Sequence, residues 1–308
     1  MIFRVFVRKI LGRKGTFFLR NVLSHIFIKS GFVEPANKVS KANGISAMVL
    51  TCNDPDWIEP ALLSIKDLVD EYVVIDSSTD ETPEIIMGVK EMYGLNLRMY
   101  RTPPGDVVKA RNLGLRKANY KWILIWDSDF IAKPEIAREI KKLIYGLDSK
   151  YYYLVYWPMI KLCGDLFHLC REIFHVEHWL YTWSPKLKYR RLGMHDSLIA
   201  PLTMYKAVTI NKPLGYHLVT VRNPVKIAIK RLTWKQRDAE ELLKQGLSIE
   251  EVAKKKARKL YNTDDLEELG RMFIAESISN LPCYDKEIFG DYPYILKKYV
   301  KERYGINL

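Results

Sequence analysis

The residues best suited to chemistry in this chain sit at the end of a short apolar run. Trp122, Ile123, Leu124, Ile125 and Trp126 follow one another without interruption, as in a strand buried on both faces. The run stops at Asp127-Ser128-Asp129. Residues two apart in extended backbone point the same way, so the two carboxylates converge. Converging oxygen ligands suit a hard divalent cation, Mg²⁺ or Mn²⁺, holding a diphosphate. A solvated Asp-Ser-Asp turn accounts equally well for an isolated D-x-D, so the surrounding elements decide between the two.

Those elements alternate. Ser46 to Thr51 reads as an apolar strand, followed by Asp54-Pro55, an N-cap with proline at the first helical position, and a helix through Val69. Tyr72 to Ile75 is a second strand ending at Asp76, and Asp80 to Met92 a second helix. Leu95 to Arg101 is a third strand, and a helix from about Asp106 to Asn119 leads into the Trp122 run. Strand–helix alternation predicts an α/β fold with a mainly parallel sheet and right-handed crossovers. Three polar loops then open on one sheet edge: Asn53-Asp54, Asp76-Ser77-Ser78-Thr79-Asp80 and Asp127-Ser128-Asp129. That edge is where open α/β sheets bind ligands, and with Arg111 on the intervening helix it predicts a nucleotide-diphosphate site.

Composition bounds the partners. The chain of 308 residues has 49 Lys and Arg against 36 Asp and Glu, a net charge of +13, and 48% hydrophobic residues, enough for a sizeable core. An anionic partner is implied. Residues 1–30 hold seven basic groups and no acid, with Phe3, Phe6, Val7 and Ile10 on one face of a first short helix. Gly12 and Gly15 mark a break, and Leu19, Val22, Leu23 and Ile26 repeat the stripe beside Arg20. Basic amphipathic helices suit the surface of anionic lipid; an ordinary helical hairpin packed on the domain is the competing reading. No stretch approaches the ~20 apolar residues of a membrane span, and Arg4, Arg8 and Lys9 interrupt any signal-peptide core. Cys52, Cys163, Cys170 and Cys283 lack metal-site spacing and read as buried thiols of a reducing compartment. Scarce glutamine, Gln236 and Gln245, alongside plentiful Lys and Glu hints at a thermophilic source.

Farther on, a helix follows Pro134, Tyr151 to Trp157 is strand-like, and residues 158–220 read as irregular. His175 and His178 fall at i, i+3 on a possible helix with Glu177 between them. After Pro224 the chain reads as helical: Val225 to Gln245, Ser248 to Tyr261 opened by the capping box Ser248-x-x-Glu251, Asp264 to Ser279, and Pro293 to Tyr304. The expected divisions are 1–44 (basic helices and linker), 45–223 (donor half 45–132, acceptor half 133–223) and 224–308 (helical).

The segments VLTCNDPDWIEPALLSI, VVIDSSTDET and KARNLGLRKANYKWILIWDSD together resemble the nucleotide-sugar-binding half of family 2 glycosyltransferases with the GT-A fold. The resemblance implies that Asp76 holds the nucleotide base, and that Asp127 and Asp129 hold the metal and the donor diphosphate. Thr51, Asn53, Arg111 and Ser128 complete the expected donor contacts, with Ala110 to Gly114 standing for the family's A-R-N-x-G segment. The Asp76 to Asp80 loop is one residue shorter than the family's D-S-G-S-T-D type. Tyr189 to Asp196 resembles an R-x-x-G-x-x-H-E segment of transferases that build lipid-linked or core oligosaccharides, with Asp in place of Glu. An inverting transfer needs a carboxylate to take the acceptor's proton, and Asp196 is the expected base, with Asp165 and Glu177 as rivals. His217 falls where relatives often carry a histidine, which implies a further metal ligand or a contact to the diphosphate; a core or loop histidine is the competing reading.

The expected function is a metal-dependent inverting glycosyltransferase that uses a nucleotide-diphospho-sugar and a lipid-linked or other glycan acceptor. Its expected place is the cytoplasmic side of the cell membrane, bound peripherally. A soluble acceptor, a sugar nucleotidyltransferase and a non-catalytic basic membrane- or nucleic-acid-binding protein are the alternatives. The nucleotidyltransferase reading lacks a glycine-rich loop at Thr51 to Asp54, and nucleic acid lacks any recognised binding motif.

Overall fold

The computed structural model describes residues 2–192, 195–233, 242 and 245–308, with the side chains of residues 2–11 and of His195 outside that description. The apolar face expected of Phe3, Phe6, Val7 and Ile10, the pair Gly193-Met194, and residues 234–241 and 243–244 of the expected Val225 to Gln245 helix therefore lie outside the described residues. The chain forms two compact units. The first comprises Met1–Met159, Val176–Gly215 and Pro293–Leu308; the second comprises Ile160–His175 and Tyr216–Tyr292.

In the first unit the predicted alternation is present. Strands β1 (Ala42–Thr51), β2 (Glu71–Asp76), β3 (Leu97–Arg101) and β4 (Tyr120–Ile125) lie in the order β3-β2-β1-β4, all parallel. Helices α2 (Ile58–Ser64), α3 (Thr82–Tyr93) and α4 (Val107–Lys117) connect them. The core strands are apolar on both faces because helices cover both: Ala47, Met48, Val49, Val73, Val74, Ile123 and Leu124 are fully buried. Helix α2 is shorter than expected, and its N-cap is Trp57, with no side-chain cap bond. Asp54 does not cap it; the Asp54 carboxylate instead accepts a bond from Ser128 Oγ at 2.6 Å.

The stretch expected to be irregular is largely β-structure. Strand β6 (Tyr152–Leu162) follows β5 (Phe130–Ala132) and α5 (Ile136–Gly146), and β7 (Leu169–Thr182) runs antiparallel to β4, pairing Trp122 with Thr182. Strands β8 (Lys188–Leu192) and β9 (His195–Ile199) form a separate antiparallel pair, and β10 (Tyr205–Thr209) is parallel to β6. The start of β6 is the expected strand-like Tyr151 to Trp157; beyond it, aromatic residues hide the sheet from a periodicity search. Tyr152, Tyr153, Trp157, Trp179, Tyr181 and Tyr205 are all buried and supply the β-propensity that apolar alternation would otherwise announce. His175 and His178 are on β7 rather than on a helix, so their side chains point to opposite faces.

The N-terminal helix α1 (Ile2–Lys29) is interrupted at Gly12, whose φ of 63° and ψ of −170° leave the helical region where a break was expected. Its second half packs on the first unit with its polar side inward. Thr16, Arg20 and Ser24 are buried, four residues apart. The Arg20 guanidinium donates to the carbonyls of Pro201 (3.1 Å), Tyr205 (3.4 Å) and Ala200 (3.4 Å), so this arginine does not lie on an outer basic face. Asn21 donates to Ala207 O at 3.2 Å and accepts from Ala207 N at 2.7 Å, closing the free edge of β10. Phe18, Val22 and Ile26 point outward and are exposed.

The second unit is mainly helical. Pro224–Thr233, Ile249–Tyr261 and Leu266–Ile278 pack around Ile227, Leu232, Ala253, Ala257, Leu269 and Phe273. The predicted Ser248–Glu251 capping box is present. Gly270 allows the first and third of these helices to touch, since a Cβ there would lie 1.9 Å from Pro224 O. Strand β11 (Gly215–Leu218) pairs with the end of β6, His217 opposite Lys161. Two of the expected buried thiols, Cys163 and Cys170, form a disulfide, and Cys52 and Cys283 are exposed. Among the described residues no helix is long and apolar enough to cross a membrane.

Candidate active site

Each residue of the segment Ala110-Arg111-Asn112-Leu113-Gly114 has an identifiable task. Ala110 is buried against Val73 and Ile75 of β2. Gly114 lets α4 lie on β1, because a Cβ there would meet Met48 Sδ at 2.4 Å. Between them, Arg111 and Asn112 face the acceptor side of the same unit. Asn112 grips the backbone of Tyr189 in β8 from both sides, its Nδ2 donating to Tyr189 O (3.0 Å) and its Oδ1 accepting from Tyr189 N (2.9 Å). This double clamp fixes the β8–β9 hairpin against α4.

That hairpin carries Asp196, paired with Arg191 in register. Arg111 Nε donates to Asp196 Oδ2 at 3.3 Å, and Arg111 Nη2 lies 3.0 Å from Asp127 Oδ2 and 2.9 Å from Asp127 Oδ1. One buried guanidinium thus joins the first carboxylate of the D-x-D to the carboxylate expected to act as base. Burial works against its charge, but Asp127, Tyr189 and Asp196 outweigh it, and its pKa is raised above the ordinary arginine value. The Tyr189 ring lies 6.0 Å from Arg111 Cζ, and burial pushes the Tyr189 phenol upward, keeping it neutral. Arg111 Nη1 is buried with no hydrogen-bond partner among the described residues. A buried charged N–H without a partner is costly, so this one is a candidate donor to a ligand.

The rest of the D-x-D is held from below. Ser128 N donates to Leu50 O (3.3 Å), and the Ser128 hydroxyl is fixed by Asp54. Asp129 is buried. Asn53 adopts a left-handed φ of 53° and binds the neighbouring loop: its N donates to Ser78 Oγ (2.8 Å) and its Oδ1 accepts from Thr79 N (2.7 Å). Thr51, also buried, carries an Oγ1 with no hydrogen-bond partner among the described residues. Asp80 accepts from Thr82 N (3.1 Å) and Oγ1 (2.6 Å) at the start of α3.

Asp76 ends β2 fully buried. It accepts from Ser78 N (3.1 Å) and Ser78 Oγ (2.6 Å), and forms an ion pair with Arg101 of β3. Ser78 and Arg101 together occupy its carboxylate.

The structure therefore gathers Thr51, Asn53, Asp76, Arg111, Asp127, Ser128, Asp129 and Asp196 into one unit. His217 belongs to the second unit, where its Nδ1 lies 3.4 Å from His175 Nδ1. Of the rival bases, Asp165 pairs with His168 Nδ1 at 2.8 Å in the second unit, and Glu177 pairs with its neighbour His178 in the first. Asn112, Arg101 and the Asp54–Ser128 bond were not anticipated. Arg101 had a signal: it pairs with Asp76 in parallel register at the strand ends. The Asn112 bonds depend on long-range placement of β8, for which no local pattern exists.

A family profile described as "Glycosyl transferase family 2" matches residues 46–201, just over half of the chain. The chain belongs to glycosyl transferase family 2. Comparison with curated proteins finds no match. Among solved structures, S. aureus TarS 1-349 is similar at 16% identity and a TM-score of 0.41, over 71% of this chain and 72% of that one. Its complex with UDP-GlcNAc gives 16% identity and a TM-score of 0.39, over 70% and 73%. The inositol-1-phosphate CTP transferase from T. maritima gives 10% identity and a TM-score of 0.38, over 58% and 91%. Likeness this distant does not reach the chemistry of the glycosyltransferase, which rests on the geometry of its own site.

Proposed function

We propose that this family 2 glycosyltransferase is an inverting enzyme that takes a sugar from a nucleotide-diphosphate donor, with Asp196 as the base. The observation that carries the proposal is Arg111, which holds Asp127 and Asp196 on one guanidinium. Donor-side and acceptor-side carboxylates thereby share one centre, as a single in-line displacement at the anomeric carbon requires. Asp196 is about one-third exposed, accessible to an acceptor hydroxyl. As the base, it takes the hydroxyl proton while the new bond forms. Arg111 Nη1 and Thr51 Oγ1 are the buried donors left for the incoming phosphates and nucleotide.

The donor set at the D-x-D fits a divalent cation: Asp127 and Asp129 offer oxygen only, the preference of Mg²⁺ and Mn²⁺. Among the described residues no third His, Cys, Asp or Glu joins them, so such an ion takes its other ligands from the donor's phosphates and water, as Mg²⁺ commonly does. When bound it neutralises the departing diphosphate. Asp54 contributes by fixing Ser128, which sets the direction of both flanking carboxylates.

We further propose a membrane-surface acceptor. The outward row Phe18, Val22 and Ile26, with Phe32 nearby, is exposed, and Arg13, Lys14 and Lys29 are exposed on the same helix. Apolar side chains beside cations suit an anionic lipid surface.

The deciding experiment incubates the purified protein with Mg²⁺ or Mn²⁺ and a panel of nucleotide sugars. Release of nucleoside diphosphate, absent in Asp129→Ala, supports the transfer; pyrophosphate as the sole product overturns it. For the surface, Phe18→Glu with Ile26→Glu abolishes flotation with anionic vesicles and leaves donor hydrolysis unchanged. Intact flotation removes the membrane assignment.

A further inference from the structure

Arg111 and a divalent cation compete for the same oxygens. Arg111 Nη2 lies 2.9 Å from Asp127 Oδ1 and 3.0 Å from Asp127 Oδ2, so one amino group engages both oxygens of that carboxylate. Its Nε donates to Asp196 Oδ2 at 3.3 Å. The side chain is only 10% exposed, and its Cζ lies 6.0 Å from the ring of Tyr189, whose backbone Asn112 clamps. The guanidinium is thus held between two carboxylates and a fixed ring. A divalent cation binds carboxylate oxygen directly, at about 2.0–2.6 Å. On Asp127 it stands beside the guanidinium, and like charges repel most where water is excluded. Arg111 Nη1, buried without a hydrogen-bond partner among the described residues, points to what reconciles them. A phosphate oxygen is at once a strong acceptor for a guanidinium and an oxygen ligand for Mg²⁺ or Mn²⁺.

We propose that Arg111 couples the cation to the diphosphate, so that the site takes the two together and discriminates against a cation alone. This rests on Asp127 and Asp129 being the protein ligands of the donor's cation. Without phosphate, guanidinium and cation are rivals for Asp127. A diphosphate on Nη1 offsets the guanidinium's charge and gives the cation further oxygens, so each ligand strengthens the other. Nε keeps its hold on Asp196, and the base stays in place beside the donor. Arg111 therefore governs cation binding as well as linking Asp127 to Asp196.

The test measures binding, so it needs no turnover. The full-length protein is titrated with Mn²⁺ by electron paramagnetic resonance. Calorimetry then follows uridine, guanosine, adenosine, cytidine and thymidine diphosphates, each with and without Mn²⁺, and the tightest is carried forward. In the wild type Mn²⁺ is expected to tighten nucleotide binding about ten-fold or more, within the usual span of linked sites. Arg111→Gln should bind Mn²⁺ alone about ten-fold more tightly and lose most of that coupling, because the rival charge is gone. Arg111→Lys, whose single ammonium cannot span both carboxylates, should move the same way by less. Arg116→Gln removes an exposed arginine from the same helix and should change neither quantity. Mn²⁺ binding no tighter in either Arg111 variant, coupling unchanged by them, or an equal gain in Arg116→Gln would each overturn the inference. Asp129→Ala separates it from the donor-site reading. Mn²⁺ binding that survives this substitution strikes the reading itself, whereas binding lost in Asp129→Ala but unmoved by Arg111→Gln strikes the coupling alone.

Discussion

The adjacent strands β1 and β2 carry the same chemical couple at both ends, and the two ends behave differently. At their start Ser46 pairs with Glu71, and at their finish Thr51 pairs with Asp76. All four residues are buried, and each carboxylate has an arginine from β3, Arg98 or Arg101. At the first end every group has a partner. Glu71 accepts from Ser46 Oγ (2.6 Å), Asn119 N (2.6 Å), Asn119 Nδ2 (2.9 Å) and Arg98 Nη2 (2.6 Å), while Ser46 Oγ also accepts from Tyr120 N (3.0 Å). At the second end Thr51 Oγ1 makes no hydrogen bond among the described residues, and the Arg101 side chain covering Asp76 is 53% exposed. A satisfied buried network rigidifies; an unsatisfied one at the ligand-binding edge of a parallel sheet waits for a partner. The first end holds the sheet together, and the second, with Arg111 beyond it, is where the transfer chemistry is proposed.

The largest effect expected lies at the second end. Asp196→Asn should lower turnover by about 10²–10⁴-fold, the usual range for a lost general base, with the donor KM little changed. Steady-state kinetics at saturating donor measures it, and a change in KM alone would mean that Asp196 positions substrate instead. The first end should answer with stability. Glu71→Gln turns an NH₂ toward donors that now lack an acceptor, at a cost of about 1–3 kcal/mol in urea unfolding. Turnover per folded molecule should not change. If Glu71→Gln slows turnover of the folded fraction, the division between the two ends fails.

Legibility in the sequence follows the same division. The donor half is readable because its signals are local: an apolar run ending in Asp127 and polar loops after the first, second and fourth strands; so is the Ser248 capping box among the C-terminal helices. Beyond the strand-like Tyr151 to Trp157, the region through β10 is not, because aromatic residues such as Trp179, Tyr181 and Tyr205 fill buried positions where alternating aliphatics would announce a strand. Arg111 stands out as a basic residue near the donor, but its hold on Asp196 depends on a contact 85 residues away in sequence. The spacing of Arg20 fits a basic outer face; three carbonyls at the β9–β10 turn reverse it. The pairing of Cys163 with Cys170 requires the β6–β7 turn to bring them together, which composition does not encode.

Asp76→Asn is the matched partner of Glu71→Gln on the same strand. It too sets an amide NH₂ among donors that lose an acceptor, so the stability loss should be about 1–3 kcal/mol. The donor KM should also rise about ten-fold, equivalent to ~1.4 kcal/mol of binding. Isothermal titration with nucleoside diphosphates of different bases sharpens this: a loss that varies with the base ties Asp76 to base recognition, and a uniform loss ties it to the diphosphate.

The smallest and most discriminating change is Thr51→Val, which keeps the side chain's shape and deletes its hydroxyl. In the unliganded protein that hydroxyl is buried without a hydrogen-bond partner among the described residues, so its removal should stabilise the fold by about 1 kcal/mol. If the hydroxyl serves the donor, the same substitution weakens donor binding by about 0.5–1.5 kcal/mol, the net worth of one hydrogen bond. Stability and affinity then move in opposite directions, an outcome a merely structural threonine does not produce. The equivalent change at the other end, Ser46→Ala, should lower stability and leave affinity alone, because Ser46 Oγ is already bonded to Glu71 and Tyr120. Urea unfolding and donor titration on these two variants would settle whether the two ends of one strand pair are divided between structure and binding; a loss of stability in both would show that they are not.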